Sequence, residues 1–173
     1  MSRYSNAHKN PAGAGDARPT AMQIIRDEGL EGLMTDKVFL ITGCTSGIGM
    51  EAARAIAATG ARVFVTARSL DKGQRVCGGF KPGAVELLQL DTSSLSSVRA
   101  AAATFLSKSR KLNVLVCNAG VMRIPTRQES TDGFELQLAM NYLGLVAFLA
   151  SQGYDARVFL AGFQRLELRA PRV

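Results

Sequence analysis

Histidine and cysteine are scarce in this chain of 173 residues. His8 is the only histidine, and Cys44, Cys77 and Cys117 are widely spaced without a C-x-x-C pair. Metal sites use such ligands in close sequence pairs, and a histidine-based triad needs a histidine within the domain. We therefore expect no metal site and no such triad. Three scattered thiols favour a reducing compartment, so we expect the protein to be cytoplasmic.

Long apolar runs are also absent from the sequence. A membrane-spanning helix needs roughly 18–20 apolar residues, and the run over 143–150 is soon followed by Asp155 and Arg157. The first residues lack the apolar core of a signal peptide. Hydrophobic residues make up 47% and charged residues 20% of the chain, which is a globular balance. We expect one domain without a membrane span.

The net charge of +7 is unevenly distributed. Residues 37–150 carry thirteen basic and seven acidic side chains, whereas residues 1–36 carry four and five. A ligand with several phosphates, such as a dinucleotide, would be attracted to that excess. Nucleic acid is the competing interpretation, but aromatic residues are only 6% and no basic run contains interleaved aromatics. We therefore expect no nucleic-acid partner.

Strand and helix patterns alternate from Lys37 onward. Apolar runs predict strands at residues 37–42, 62–66, 84–90 and 112–117. Helical patterns are predicted at about 47–59, 70–77, 94–109 and 133–150. This alternation indicates βαβ units in an α/β, Rossmann-type doubly wound parallel sheet. We predict the strand order 3-2-1-4, with a candidate fifth strand at 157–161.

The two ends of the chain are predicted to differ from this central part. Residues 1–19 are expected to form a flexible leader, because proline and glycine lie among small polar residues. Residues 20–36 predict a short helix or lid, which Thr20 would cap. The nucleotide-binding domain is expected over 37–144, followed by a divergent tail over 145–173.

The strongest chemical signal follows the first predicted strand, in the segment Thr42-Gly43-Cys44-Thr45-Ser46-Gly47-Ile48-Gly49. A glycine turn between strand and helix lets the backbone approach a pyrophosphate, and the helix presents free N–H groups to the anion. The spacing T-G-x-x-x-G-x-G is wider than the common dinucleotide fingerprint. An ordinary βα turn of another doubly wound protein is the alternative.

The end of the second predicted strand indicates which dinucleotide is bound. An acidic residue at this position accepts hydrogen bonds from the ribose hydroxyls of NAD, but this chain has Ala67 followed by Arg68. Arg68, with Lys72 nearby, suits the 2′-phosphate of NADP, because arginine pairs with phosphate in a bidentate manner. We predict NADP as the cofactor. Solvated surface charges are the alternative for both basic residues.

Three further motifs follow along the chain: Asp91 after the third strand, Cys117-Asn118-Ala119-Gly120 after the fourth, and Asn141-Tyr142-Leu143-Gly144. Together with the glycine segment, they resemble the short-chain dehydrogenase/reductase family over about residues 20–144. The segment Asp132-Gly133-Phe134-Glu135, the leader and the glycine segment look most like its retinol-dehydrogenase-like and WW-domain-oxidoreductase-like branch. Cys117 stands where the family has the first Asn of its N-N-A-G motif.

The resemblance implies roles for these residues. Asp91 would contact the adenine amine, and Asn118 and Gly120, on either side of Ala119, would contact the adenine ribose and support the centre of the sheet. Asn141 corresponds to the catalytic Asn, which holds a water in the proton relay. The alternatives are helix capping for Asp91 and an exposed polar residue for Asn141.

The resemblance also implies catalytic residues that this sequence does not contain. In the family, Tyr donates the proton, Lys lowers the pKa of Tyr, and Ser orients the substrate. Tyr142 and Tyr154 are each followed four residues later by valine, and no lysine follows Lys111. We expect a truncated NADP-dependent oxidoreductase, incomplete relative to the family, whose parental reaction interconverts alcohols and carbonyls on a small lipophilic substrate.

A different interpretation is a catalytically dead NADP-binding protein that pairs with a second copy or an intact relative. In either case the sequence indicates that the fourth strand is at risk of becoming an open apolar edge, because little chain follows to cover it.

Overall fold

The computed structural model describes residues 3–151, 157–160 and 166–167. The strands of this described part form one sheet: β1 (Val38–Ile41), β2 (Arg62–Ala67), β3 (Val85–Gln89), β4 (Val114–Cys117), β5 (Arg157–Leu160) and β6 (Leu166–Glu167). Their order is β3-β2-β1-β4-β5-β6, and only β5 and β6 pair antiparallel. The predicted α/β fold and the order 3-2-1-4 are confirmed.

The backbone of β5 pairs with β4 along its whole length. Val114 lies opposite Arg157, and Cys117 lies opposite Leu160. The expectation that β4 is at risk of becoming an open edge was therefore wrong, because a parallel neighbour uses its backbone hydrogen-bonding groups. The candidate fifth strand is confirmed over Arg157–Leu160. Tyr154, Ala161 and the end of the predicted tail lie outside the described residues.

Helices connect the strands close to the predicted positions: α1 (Ala21–Asp27), α2 (Gly47–Ala58), α3 (Leu70–Cys77), α4 (Leu95–Lys108), α5 (Leu136–Leu138) and α6 (Gly144–Ala150). Thr20, Ser69 and Ser94 each accept a hydrogen bond from the N–H group three residues onward, which begins α1, α3 and α4. The predicted cap at Thr20 is confirmed. No helix in the described part is long and apolar enough to cross a bilayer.

The helix predicted over 133–150 starts later than expected. Gly133 has a φ of +79°, and its N–H donates to Ser130 in a turn. The carboxylate of Glu135 then accepts from two N–H groups of the first helical turn, so that α5 begins at Leu136. The predicted start was wrong because a left-handed glycine and a capping carboxylate stop the helix before it reaches residue 133.

Apolar side chains fill both faces of the sheet. On the face covered by α4 and α6, the ring centroids of Phe64 and Phe105 are 4.8 Å apart, and those of Phe105 and Phe148 are 6.3 Å apart. On the opposite face, the fully buried Ala53 lets α2 lie close to Ile41 and its neighbours. This packing fixes the carboxyl ends of β1, β2 and β4 along one edge, where the connecting loops meet.

The N-terminal segment lies against α1. Arg3 Nη1 donates to the carbonyl of Asp27 at 2.7 Å, and the Tyr4 hydroxyl donates to the Asp27 carboxylate at 2.9 Å. After α1, Met34 N–H donates to the Thr59 carbonyl at 2.8 Å, just past the C-terminal end of α2. The N-terminal region is therefore tied to the end of α2 that is remote from the glycine turn.

Candidate functional site

A cleft of about 270 Å³ lies at the carboxyl ends of the central strands. Its lining comes from the glycine turn, the strand ends and the segment between α5 and α6, namely Gly43, Thr45, Thr66, Ala67, Arg68, Leu90, Thr92, Asn118, Ala119, Gly120, Val121 and Met140. The cleft lies beside β1, which stands between β2 and β4 where the strand order reverses. Open parallel sheets bind their ligands at such a reversal point.

The structure brings only some of the predicted residues into this lining. Six of them are there: Gly43, Thr45, Arg68, Asn118, Ala119 and Gly120. The other seven lie outside it: Ser46, Gly47, Ile48, Gly49, Lys72, Asp91 and Asn141. Ile48 is 81% exposed at the start of α2, so its side chain points away from the protein.

Asn118 and Thr42 join the ends of β4 and β1. Asn118 Nδ2 donates to the carbonyls of Thr42 at 2.9 Å and Gly43 at 3.0 Å. In the other direction, the buried Thr42 Oγ1 accepts from the N–H groups of Asn118 at 3.0 Å and Ala119 at 2.9 Å. The sequence analysis assigned no role to Thr42. A buried hydroxyl directly before a glycine turn was the signal that could have indicated one.

Two glycines of the turn have no space for a side chain. A Cβ on Gly43 would lie 2.9 Å from Ala119 Cα, and a Cβ on Gly49 would lie 2.5 Å from the Gly43 carbonyl oxygen. Gly47 is different, because a Cβ there would meet nothing within 4 Å, although its φ is +58°. Gly43 and Gly49 therefore allow the loop, α2 and β4 to pack together, whereas the backbone at Gly47 faces open space.

Helix α2 begins at this turn without a capping side chain. Ser46 makes no side-chain hydrogen bond to the first turn, in contrast to Thr20, Ser69 and Ser94 at the starts of α1, α3 and α4. The first N–H groups of a helix have no partners within the helix, and its N-terminus carries a partial positive charge. This end of α2 can therefore receive an anion.

Among the described residues that line the cleft, Arg68 is the only charged one. Its side chain is exposed, and no carboxylate in the described part of the chain forms an ion pair with it. The backbone is held in place, because Gln89 Nε2 donates to the Arg68 carbonyl at 3.2 Å. Lys72 is exposed on the first turn of α3. Next to the buried Ala67, the cleft thus has a positive charge that no carboxylate of the described residues neutralises.

Asp91 stabilises the turn after β3. Its Oδ1 accepts from the N–H of Ser93 at 2.9 Å and from the Ser93 hydroxyl at 2.6 Å. Ser94 is the residue that caps α4, so the alternative in which Asp91 caps this helix is wrong. Asp91 follows Leu90, which lines the cleft, but Asp91 itself does not line it.

Asn141 lies in a π-helical turn, Ala139–Leu143, which joins α5 to α6. Its side-chain amide is hydrogen-bonded to the backbone of Val121, a residue that lines the cleft. A Cβ on Gly120 would lie 3.0 Å from Asn141 Oδ1, so this amide also approaches the backbone after β4. Asn141 therefore borders the cleft through its neighbours.

Two buried thiols lie close to the cleft. Burial raises the pKa of Cys44 to about 12, and its Sγ donates to the Ile41 carbonyl at 3.2 Å. Burial likewise raises the pKa of Cys117 to about 12. Both thiols are protonated at neutral pH, so neither is a reactive nucleophile.

Comparisons with known proteins agree with this geometry. Residues 37–152 match the family model described as short chain dehydrogenase. Short-chain dehydrogenase/reductase prx1 of Penicillium roqueforti is 53% identical over 143 residues, which cover 82% of this chain and 42% of that protein. Oxidoreductase calI of Penicillium decumbens is 44% identical over 161 residues, covering 87% and 46%. The chain therefore spans less than half the length of these relatives.

More distant relatives and solved structures show the same partial coverage. Human retinol dehydrogenase 12 is 41% identical over 112 residues, covering 62% of this chain and 35% of that protein. A structure of an uncharacterized Mycobacterium paratuberculosis protein has a TM-score of 0.63 and 34% identity, over 77% of this chain and 45% of the other. A metagenomic short-chain oxidoreductase in complex with NADP has a TM-score of 0.57 and 28% identity, over 69% and 56%.

Proposed function

Because this chain belongs to the short-chain dehydrogenase family, we propose that it is the NADP-binding part of an oxidoreductase. The observation that carries the choice of NADP is Arg68, the one charged residue in the cleft lining that the structure describes. It has no carboxylate partner in the described part of the chain, and the methyl side chain of the preceding Ala67 offers no acceptor to a ribose hydroxyl. A 2′-phosphate would supply the missing negative charge.

The residues around the cleft fit such a dinucleotide. The turn from Gly43 to Gly49 and the uncapped start of α2 would hold the pyrophosphate, because the backbone at Gly47 faces open space. We propose that Thr45, Ser46 and Ile48 contribute to the same turn, and that Lys72 adds positive charge beside Arg68. Asp91, Asn118, Ala119 and Gly120 would border the adenosine end.

The chemistry follows from what this cofactor supplies when bound. The reduced form donates a hydride to a carbonyl carbon, and the oxidised form accepts a hydride from an alcohol. The substrate oxygen then needs a positioned proton donor. Of the family's catalytic positions, this chain matches Asn141, and no lysine follows Lys111. We propose that its residues bind and orient the dinucleotide, while the reaction of the family enzyme interconverts alcohols and carbonyls on a small lipophilic substrate. The relative named retinol dehydrogenase 12 supports an alcohol as the substrate.

A second candidate is an NADP-binding protein without catalytic activity, which acts with a second copy or with an intact relative. Its support is that Asn141, which matches a catalytic position of the family, is hydrogen-bonded to the backbone of Val121 in this structure. The three cysteines are free thiols, which supports a reducing compartment such as the cytoplasm for either candidate.

Calorimetric titration of the 173-residue chain with NADPH and with NADH tests the cofactor. Arg68→Ala should weaken NADPH binding by about 1–3 kcal/mol and NADH binding much less, because only NADPH carries the 2′-phosphate. Arg75→Ala is the matched control, since its Nε donates to the Asp71 carbonyl at 3.3 Å and the residue does not line the cleft. Equal losses for both cofactors in Arg68→Ala would contradict the assignment.

Turnover separates the two candidates. The chain is incubated with NADPH and a panel of ketones and aldehydes, and oxidation of NADPH is followed by absorbance. Turnover of any carbonyl selects the oxidoreductase, whereas binding without turnover shows that these 173 residues alone bind the cofactor but do not catalyse the reaction. A folded chain that binds neither NADPH nor NADP would overturn the proposed function.

A further inference from the structure

We propose that Thr66 is a positioning residue that holds the glycine turn in the shape the dinucleotide needs. The inference rests on the proposed function, because the ligand of the turn is taken to be a pyrophosphate. Thr66 lies near the end of β2, is only 2% exposed and lines the cleft. No motif of the sequence analysis includes it.

Thr66 accepts hydrogen bonds from two successive N–H groups of the turn. The Gly43 N–H donates to Thr66 Oγ1 at 3.2 Å, and the Cys44 N–H donates to the Thr66 carbonyl at 3.1 Å. The second bond uses the backbone, so any residue at position 66 would provide it. The first bond needs a side-chain acceptor, and a hydroxyl close to Cβ is the group that provides it here.

Gly43 is confined on two sides, and the Thr66 bond is one of them. On the side of β4, its own backbone approaches Ala119 so closely that a Cβ would lie 2.9 Å from Ala119 Cα. Its φ of +71° is a left-handed conformation that fixes the direction of the peptide groups on both sides. The turn is thus held between a steric stop at Ala119 and a hydrogen bond at Thr66. Removal of the bond leaves an N–H group without its acceptor and allows the turn to open toward the cleft.

The position of Thr66 also links two parts of the proposed site. It lies two residues before Arg68 on the same strand end, so β2 sets the glycine turn and the guanidinium together. The two residues act on different parts of the ligand. The pyrophosphate is common to NADPH and NADH, whereas the 2′-phosphate belongs to NADPH alone. Loss of the Thr66 hydroxyl should therefore weaken the binding of both cofactors equally. Loss of the Arg68 charge should weaken mainly the binding of NADPH.

The test compares affinities for NADPH and NADH in the 173-residue chain, with thermal unfolding measured for each variant. Thr66→Val keeps the shape and removes the acceptor, and we expect both affinities to fall by the same factor, about tenfold. Thr66→Ser restores the hydroxyl and should bring both affinities back to within about twofold of the wild type. Thr59→Val is the matched control, because it removes another buried hydroxyl, which donates to the Ile56 carbonyl at 2.6 Å, away from the cleft. It should lower stability and leave both affinities unchanged.

The outcomes separate the two levels of the proposal. If the wild type binds NADPH and folded Thr66→Val binds both cofactors as tightly, Thr66 has no positioning role and the inference is overturned. A loss confined to NADPH would overturn it as well. If the wild type binds neither cofactor, the proposed function itself fails. Hydrogen exchange at the Gly43 amide needs no variant: protection that increases with NADPH supports the inference, and exchange as fast as that of exposed amides overturns it.

Discussion

Asn141 binds both backbone polar groups of Val121 with a single side-chain amide. Its Oδ1 accepts from the Val121 N–H at 2.9 Å, and its Nδ2 donates to the Val121 carbonyl at 2.8 Å. The pair connects the π-helical turn to the segment that follows β4. A position that family resemblance predicts to be catalytic thus orders a residue of the cleft wall in this chain, and its catalytic role stays a prediction.

Asn141→Ala should lower the free energy of unfolding by about 1–2 kcal/mol, because both hydrogen bonds to Val121 are lost. Urea unfolding measures this change, and amide exchange at Val121 should become faster. Asn141→Asp keeps an acceptor for the Val121 N–H but places a carboxylate oxygen against the Val121 carbonyl, so it should not restore the wild-type stability. If urea unfolding and amide exchange are unchanged in Asn141→Ala, the two hydrogen bonds between Asn141 and Val121 contribute nothing to stability.

Gly49→Ala should destabilise the chain by about 1–3 kcal/mol, since an added Cβ is forced against the Gly43 carbonyl oxygen and Asn118 Nδ2. Gly78→Ala is the control, because Gly78 has a right-handed φ of −60° and its Cβ would make only ordinary contacts at 3.5 and 3.6 Å. Melting temperatures give the comparison. If both variants melt alike, the close approach of α2 to the glycine turn is not tight in solution.

The buried thiols should make stability depend on alkaline pH. Burial raises the pKa of Cys44 and Cys117 from 9.0 to about 12, and it also raises the pKa of Cys77. A raised pKa in the folded state means that the stabilisation is complete below pH 9 and is lost as the pH rises through about 12. The urea concentration at the unfolding midpoint should therefore be lower at pH 10 than at pH 8. The double variant Cys44→Ala/Cys117→Ala should show a shallower decline, and an identical decline would assign the effect to other groups.

Phe105→Ala should cost about 3–5 kcal/mol, because the ring is fully buried between Phe64 and Phe148. Phe105→Leu keeps most of the apolar volume and should cost clearly less. Denaturant unfolding followed by far-UV circular dichroism gives both values. Equal losses for the two variants would mean that the aromatic geometry, rather than the filled volume, determines the stability of this core.

The strands, their order and the glycine turn could be predicted because their signals are local. Apolar runs of four to six residues alternate with helical patterns, and Gly43 follows such a run after the single residue Thr42. A parallel sheet with helical crossovers permits few orders, so 3-2-1-4 follows from the same pattern. The start of the last long helix was missed because its apolar residues continue through Phe134, and the stop comes from Gly133 and Glu135 instead.

The contacts of the site could not be predicted in the same way. Thr42 and Asn118 exchange hydrogen bonds across 76 positions of the chain, and the partner of Thr66 Oγ1 lies 23 positions away. No periodicity in the sequence encodes such pairs, since they depend on how close two loops come after the sheet has formed. The residue types could be identified in advance, whereas the partner of each polar group required the structure.

The pairing of Thr42 with a residue 76 positions later also affects how the protein is made. At a synthesis rate of roughly 5–20 residues per second, Asn118 leaves the ribosome about 4–15 seconds after Thr42. During that interval β1 can pair with β2, but its other edge has no β4 to bind. The nascent chain therefore exposes the centre of its future sheet for seconds, and unpaired strand edges of this kind are prone to aggregation.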